Sequence, residues 1–281
     1  MVTFAGFADE AGKSIDEQIL ATKGAGWSSI EVRNADGENF TDMSDDTFAR
    51  NLEKLRAVGI GIAGFGSQIA NWGRPIDTDF QVDVDELRRA GPRMREVGCS
   101  IIRIMSYPNR RENPLPDAAW KQEVFRRLRE LATIAEGEGV ILGHENCDGY
   151  GGLGPDESLE MLDAVNSPAL KLIFDTGNAV FHEQDSRAFY EKVKDAVVHM
   201  HVKDARRDEK GELVACYPDE GLANNRATFA DLKARGYDGY ISIEPHMAAV
   251  VHLAKDVEDA EAARAIYVEY ARRTEALWGE A

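Results

Sequence analysis

Short apolar segments alternate along the chain with longer stretches of helical periodicity. The apolar segments lie at residues 2–7, 28–32, 60–65, 100–105, 140–144, 170–174, 197–202 and 239–243. Each is short and rich in apolar residues, which is typical of parallel strands that are buried on both faces. The pattern therefore predicts a set of buried strands separated by helices.

The clearest helical pattern covers residues 117–136. Apolar residues from Trp120 to Ala135 recur there at spacings of three and four, and Asp117 is placed to cap the helix after Pro116. Glycine precedes several of the strands, as is typical of helix C-termini. Further helices are predicted to begin near Ser14, Ser44, Asp83, Pro155, Ser186 and Thr228, and another over residues 263–270.

Regular alternation of strands and helices predicts parallel βαβ units. Eight such units in 281 residues predict an α/β fold of the (β/α)8 TIM-barrel type, as one domain over residues 1–281. An open doubly wound sheet is the alternative, but GFADEAG after the first strand lacks the G-x-G-x-x-G pattern of dinucleotide-binding sheets. The longer connections follow strands, so they would lie on the catalytic face of a barrel.

Charge and composition narrow the classes of partner. Fifty acidic against 33 basic residues give a net charge of −17, which disfavours nucleic acid and anionic membranes as partners. No apolar run is long enough to span a bilayer, and no secretory signal begins the sequence. Three scattered cysteines fit a reducing compartment. We expect a cytoplasmic protein.

Polar residues at the ends of four successive strands indicate the chemistry. They are Glu145, Asp175, His201 and Glu244. Adjacent strands lie about 4.8 Å apart, so these side chains can converge on one point. Three carboxylates gathered together would repel one another unless a cation balanced them. Oxygen-rich ligation with one imidazole favours Mn²⁺ or Mg²⁺, with Co²⁺ as an alternative.

Five segments carry a resemblance to a known family. They are GFADE at residues 6–10, HEN at 144–146, FDTGN at 174–178, HMHVKD at 199–204 and GYDGYISIEPH at 236–246. In this order the chain resembles the xylose-isomerase-like TIM-barrel superfamily, and within it the sugar phosphate isomerase/epimerase family. The resemblance implies a small-molecule carbohydrate as the substrate and, since relatives often pair, a homo-oligomer.

The resemblance also implies roles for individual residues. It makes Glu145, Asp175, His201 and Glu244 the metal ligands. It makes Glu145 and Glu244 the catalytic pair that removes and returns a proton, and Arg207, or Arg206 instead, a contact to substrate oxygens. Asn178 stands where ketose 3-epimerases have a substrate-binding histidine, which implies a different substrate pocket.

The residues themselves suggest further candidates near the strand ends. Glu10 and Glu31 are placed to bind sugar hydroxyls or to form loop salt bridges, Glu31 with Arg33. Lys203 is placed to orient His201 or Glu244 or to bind substrate. His199 lies on the same strand face as His201, as a supporting group or as a core histidine.

Other polar residues are not expected to take part in the chemistry. We interpret Cys147 as an inert part of the pocket wall, and the Arg110–Arg111 pair as solvated surface.

The expected activity is metal-dependent sugar isomerisation or epimerisation, in which a proton moves next to a carbonyl through an enediolate. Three alternatives remain. One is a lyase or dehydratase of the same fold acting on a keto-inositol, a dehydroshikimate-like acid or a 3-keto-glycoside. Another is a barrel that binds sugar without catalysis. Phosphodiester cleavage, as in endonuclease IV, is disfavoured, because it needs a larger set of histidines and a basic face for DNA, whereas the sequence has six histidines and a net charge of −17.

Overall fold

The computed structural model describes residues 1–248 and 259–281. Within them the strands, in chain order, are β1 (Thr3–Gly6), β2 (Ser29–Val32), β3 (Asn34–Ala35), β4 (Glu38–Asn39), β5 (Gly61–Gly66), β6 (Ile101–Ser106), β7 (Ile141–Gly149), β8 (Leu170–Asp175), β9 (Val197–Val202), β10 (Ala205–Arg207), β11 (Leu213–Ala215) and β12 (Tyr240–Ile243). The eight predicted strands are all present, and each begins within one residue of its predicted start.

Eight parallel strands form one sheet in the order β1-β12-β9-β8-β7-β6-β5-β2. A parallel bridge between Phe7 and Glu31 joins the two ends of this order, just beyond β1 and within β2. The (β/α)8 barrel is therefore confirmed, and the open doubly wound sheet is not observed. The remaining strands form two hairpins, β3–β4 and β10–β11, on connections that follow barrel strands.

Helices surround the barrel. In the described ranges they are α1 (Ile15–Gly24), α2 (Asp45–Ala57), α3 (Phe80–Val97), α4 (Asp117–Glu138), α5 (Pro155–Val165), α6 (Thr176–Phe181), α7 (Ser186–Val193), α8 (Asn225–Ala234) and α9 (Ala260–Glu280). None of these helices combines the length and the apolar character that crossing a bilayer requires.

Helix boundaries follow capping chemistry. Ser14 and Ser44 cap α1 and α2 by accepting hydrogen bonds from backbone amides three residues later. The expected cap at Asp117 is wrong, because Pro116 takes the N-cap position and Asp117 is the first helical residue, where its charge faces the helix dipole. Helix α3 begins before Asp83 because Asp79 accepts a hydrogen bond from the amide of residue 81.

One strand differs from its prediction in a way that matters for the site. The fifth barrel strand, β7, continues from residue 141 to Gly149, whereas the apolar run ends at residue 144. Gly149, the last residue of β7, pairs with Ser106 of β6, after a shift in the pairing register between these two strands. Glu145 and Asn146 therefore lie within a strand, where backbone hydrogen bonds fix the directions of their side chains.

Asp204 organises the connection that follows β9. It is buried, and its two carboxylate oxygens accept hydrogen bonds of 2.8–3.2 Å from the backbone amides of residues 205, 219, 221 and 223. Backbone amides buried without an acceptor are costly, so this single carboxylate holds the chain from residue 219 to the start of α8 at residue 225.

We predict that Asp204→Ala destabilises the fold by about 3 kcal/mol, because two buried and two partly buried amides would lose their acceptor. Urea denaturation would measure the change. Asp208→Ala is the matched control, since Asp208 also accepts two backbone amides but lies exposed on the β10–β11 turn. Its expected cost is below about 1 kcal/mol. Equal costs for both variants would contradict the assigned role of Asp204.

Candidate active site

Four side chains converge at one end of the barrel, from within β7, from the ends of β8 and β9, and from just beyond β12. They form what we call the four-residue group: Glu145, Asp175, His201 and Glu244. Their nitrogen and oxygen donor atoms all lie within 4.8 Å of one another, and all four residues are buried. The structure thus brings together the residues that the sequence singled out, in the order in which their strands are paired.

Strand register explains this convergence. Asp175 is the last residue of β8 and lies directly beside His201 of β9. The amide of Glu244 donates to the carbonyl of Val202, 3.1 Å away, so Glu244 leaves β12 level with the end of β9. In a parallel barrel, residues at matching register lie side by side on the same rim.

Glu145 has three polar partners. One of its oxygens is 2.9 Å from His201 Nδ1 and accepts a hydrogen bond from Asn178 Nδ2 at 3.2 Å. The other accepts a hydrogen bond from Arg103 at 3.3 Å. Burial alone would raise the pKa of Glu145, but the charges of Arg103 and His201 lower it to about 2. Glu145 is therefore ionised at neutral pH.

Asp175 has one satisfied oxygen and one that accepts no hydrogen bond. Its Oδ1 caps α6 by accepting from the amides of Gly177 and Asn178 at 2.8 and 2.7 Å. Its Oδ2 is buried and accepts no hydrogen bond, although the ammonium of Lys203 lies 3.2 Å away. Burial raises the pKa of Asp175 to about 6, against the opposing effect of Lys203.

Glu244 lies between two cations. Lys203 Nζ is 2.8 Å from one oxygen, and Arg33 donates a short hydrogen bond to the other. Burial would raise the pKa of Glu244, but Lys203, His246 and Arg33 hold it well below its usual range. Lys203 thus contacts Glu244 and Asp175, as well as Asn178 Oδ1 at 3.0 Å. It does not orient His201.

The expected salt bridge between Glu31 and Arg33 is not formed. Two positions along an extended chain span about 6.6 Å, so the two side chains enter the barrel at different levels. Glu31, at the deeper level, contacts His199 at 2.9 Å and His201 at 3.2 Å. Arg33, just beyond the end of β2, instead forms a two-pronged ion pair with Asp9, at 2.9 and 3.0 Å.

The remaining predicted residues lie around the four-residue group at different distances. Glu10 is buried and accepts a hydrogen bond from the amide of His246 at 2.7 Å. Burial, together with repulsion from Glu244, raises the pKa of Glu10 to about 8. Arg207 is half-exposed and forms an ion pair with Glu183 on the barrel rim, so the structure does not bring it to the group.

A cavity of about 470 Å³ opens above the four-residue group. Its walls are Trp72, Arg111, Cys147, Asp148, Asn178, Phe181, His182, Leu213, Ala215 and His246. Asn178 and His246 connect the cavity to the group, because the first contacts Glu145 and the second lies 3.3 Å from Glu244. Such a cavity has the size of a small-molecule site.

The chain and its fold match proteins already known. The sequence model described as xylose isomerase-like TIM barrel matches residues 19–267. The chain belongs to that family. Inosose dehydratase 1 of Bacillus cereus is 24% identical over 254 residues, which is 83% of each chain.

Solved structures agree on the fold of this family. One is the IolI protein with a bound zinc atom, with a TM-score of 0.73 and 16% identity over 99% of both chains. Another is a D-tagatose 3-epimerase-like protein, with a TM-score of 0.72 and 20% identity over 98% of this chain and 99% of that one. At such identities the likeness concerns the barrel alone.

The four-residue group has the donor set of a divalent cation site. Three carboxylates and one imidazole suit hard or borderline divalent ions. The buried Asp175 Oδ2, which accepts no hydrogen bond, fits a cation at this point. Two further sets bring donor atoms as close, one made of Glu31, His199 and His201, and one of Glu10, Glu244 and His246. Both share a residue with the four-residue group.

Two arginines near the site were not found from the sequence. Arg103 lies buried in β6 and contacts Glu145, and the signal for it was a lone charge inside the apolar run IIRIM. Arg111 is exposed, as predicted, and also lines the cavity, whereas its neighbour Arg110 is half-buried and forms an ion pair with Asp77. Nothing in the loop sequence indicates which of these two neighbouring arginines lines the cavity.

We predict that Cys147 is a poor nucleophile although it lines the cavity. Burial, Glu145 and Asp148 raise the pKa of its thiol well above the usual range, and burial raises those of Cys99 and Cys216 to about 12. Iodoacetamide at pH 8 should therefore modify the native protein at least about tenfold more slowly than free cysteine. Peptide mass spectrometry would measure this, with the urea-unfolded protein as the fully reactive control. Rapid modification of Cys147 would contradict the prediction.

Proposed function

We propose that this chain is a divalent-metal-dependent sugar isomerase or epimerase, which moves a proton next to a carbohydrate carbonyl through an enediolate. The observation that carries the proposal is the convergence of the four-residue group, within 4.8 Å, beneath a cavity of small-molecule size. Carboxylates are rarely buried unless they are paired or functional, and this rim is where such barrels carry out chemistry.

Glu145, Asp175, His201 and Glu244 would hold the cation, for which Mn²⁺ or Mg²⁺ is proposed first and Co²⁺ second. When bound, it would supply the positive charge that stabilises the oxyanion of an enediolate. The zinc atom of the IolI structure supports a cation on this fold and leaves the choice of metal open.

Glu145 and Glu244 are proposed as the two proton carriers. Their strands, β7 and β12, stand at the two ends of the row β12-β9-β8-β7, with Asp175 and His201 between them. A substrate bound above the middle of this row would present opposite faces to the two carboxylates. One carboxylate would remove the proton and become protonated itself. It would then return that proton to the neighbouring carbon, or the other carboxylate, after taking up a proton from solvent water, would donate it to the opposite face.

Asn178 and Lys203 are proposed to contact the substrate. Asn178 lines the cavity and donates to Glu145, so its amide is at the boundary between the cavity and the four-residue group. Lys203 lies 3.0 Å from Asn178 and keeps positive charge beside Glu244. Substrate contacts by Glu10 and Arg207 stay predictions, and Arg207 would have to leave Glu183 to make one.

Replacing either proposed proton carrier should stop exchange with solvent. We expect Glu145→Gln and Glu244→Gln each to slow deuterium incorporation next to the carbonyl by about 10²- to 10⁴-fold, since an amide cannot accept the proton. The measurement is NMR of ketoses, keto-inositols and 3-keto-glycosides in D₂O. Glu86→Gln, at a buried glutamate on α3, is the matched control. Full exchange in either site variant would refute the assignment of that residue.

Removing the metal should abolish the same exchange. We expect protein treated with chelator to lose its activity and to regain it with Mn²⁺ or Mg²⁺, because the oxyanion would otherwise form among carboxylates. The measurement is metal content by mass spectrometry together with the rate of exchange, for the untreated, chelator-treated and metal-reconstituted protein. Undiminished exchange without bound metal would contradict metal dependence. Bound metal without exchange of any substrate hydrogen would instead favour a barrel that only binds sugar.

Dehydration is the second candidate, and the inosose dehydratase relative favours it because that match extends over 83% of both chains. The first step is the same, since a proton next to a carbonyl must be removed before a hydroxyl on the following carbon can depart. The product separates the two candidates. Deuterium incorporation with the hydroxyl retained supports the isomerase or epimerase, whereas loss of water supports the dehydratase.

A further inference from the structure

Glu31 contacts two histidines inside the barrel. His201 Nε2 is 3.2 Å from each of its carboxylate oxygens, and His199 Nε2 is 2.9 Å from one of them. The side chains of all three residues are fully buried. This contact lies on the opposite side of the His201 ring from Glu145, which is 2.9 Å from Nδ1. The imidazole of His201 is therefore held between two carboxylates.

The packing around Glu31 and His201 leaves room for their contact. The register shift between β2 and β5 places it opposite Gly64, and a Cβ atom on residue 64 would lie only 3.0 Å from Glu31 Oε1. Phe7 packs edge-on against the His201 ring, with the ring centroids 5.1 Å apart. The carboxylate thus lies in space that the missing side chain of Gly64 leaves open, and Phe7 covers one side of the ring.

Hydrogen bonding sets which nitrogens carry protons. His199 Nδ1 is buried and meets no hydrogen-bond partner among the described residues, so a proton there would be unsatisfied. The proton of His199 therefore belongs on Nε2, where Glu31 accepts it. For His201, Glu31 accepts the proton on Nε2 and Glu145 lies 2.9 Å from Nδ1, so a cation bound by the four-residue group would replace the Nδ1 proton and leave the Nε2 proton with Glu31.

We propose that Glu31 is a positioning residue, which keeps the proton of His201 on Nε2 and so presents Nδ1 to the cation. His199 supports Glu31 by donating to it. This inference rests on the metal site of the proposed function, and it gives Glu31 a task inside the barrel instead of a contact to sugar hydroxyls. Carboxylates that fix a metal-binding histidine in this way commonly raise metal affinity about 10- to 100-fold.

The first test measures metal binding, without substrate. We expect Glu31→Gln to weaken Mn²⁺ binding about 10- to 100-fold in an electron paramagnetic resonance titration. Glu86→Gln is the matched control, because Glu86 is equally buried and is also held by hydrogen bonds, from Thr41, from the amide of Gln68 and from Arg74. The control should keep the wild-type affinity. Wild-type affinity in Glu31→Gln would overturn the proposal.

The second test needs no variant of Glu31, so it holds even where that variant folds poorly. In ¹⁵N-labelled wild-type protein loaded with Zn²⁺, NMR should place the His201 proton on Nε2. Among the six histidines, the signal is assigned by its loss in His201→Gln. A proton on Nδ1 would overturn the proposal, and so would a second equivalent of Zn²⁺ held by Glu31, His199 and His201.

The outcomes separate this inference from the proposed function. Tight Mn²⁺ binding that depends on Glu31, without hydrogen exchange on any carbohydrate, would support the positioning role and refute the reaction. Full exchange in the wild-type protein, with Mn²⁺ affinity unchanged by Glu31→Gln, would support the reaction and refute the positioning role.

Discussion

The site depends on the balance of buried charge inside one end of the barrel. Among residues 1–248 and 259–281, six carboxylates are buried there, whereas the buried lysine and arginine side chains beside them number three. The carboxylates are Asp9, Glu10, Glu31, Glu145, Asp175 and Glu244, and the cations are Arg33, Arg103 and Lys203. Uncompensated charge in a protein interior is too costly to persist, so the deficit must be met by histidines, by bound protons or by a metal. The ion pairs and hydrogen bonds around the site compensate part of this buried negative charge.

The positive side chains are not shared equally among the buried carboxylates, and this difference gives the carboxylates different pKa values. Glu145 and Glu244 each lie beside an arginine or a lysine, and their pKa values are lowered. Glu10 and Asp175 are less well compensated, and burial raises their pKa values to about 8 and about 6. Ionised carboxylates serve as bases and metal ligands, whereas poorly compensated ones invite a proton or a cation. The positions of the positive side chains, together with the histidines beside Glu31 and Glu145, thus determine which carboxylates have lowered pKa values.

Sequence reasoning recovered the barrel and the four-residue group because both depend on local patterns. Apolar runs mark buried strands, and polar residues that directly follow them mark the rim, wherever the strands later pair. It failed for Glu31 and Arg33, which are near in sequence but enter the barrel at different levels and bind different partners. It also failed for Arg103, whose partner Glu145 is 42 positions away. Side-chain partners across a barrel leave no spacing signal in one sequence.

The amino-acid sequence by itself determined the alternation of strands and helices, the barrel they build and the residues that end its strands. These follow from periodicity, which acts over a few neighbouring residues. Only the tertiary structure decided the partners of each charge, the extension of β7 through Glu145 and the contact of Glu31 with His199 and His201. Those outcomes follow from strand register and from the space that Gly64 leaves open, and they exist only once the strands have closed around a common core.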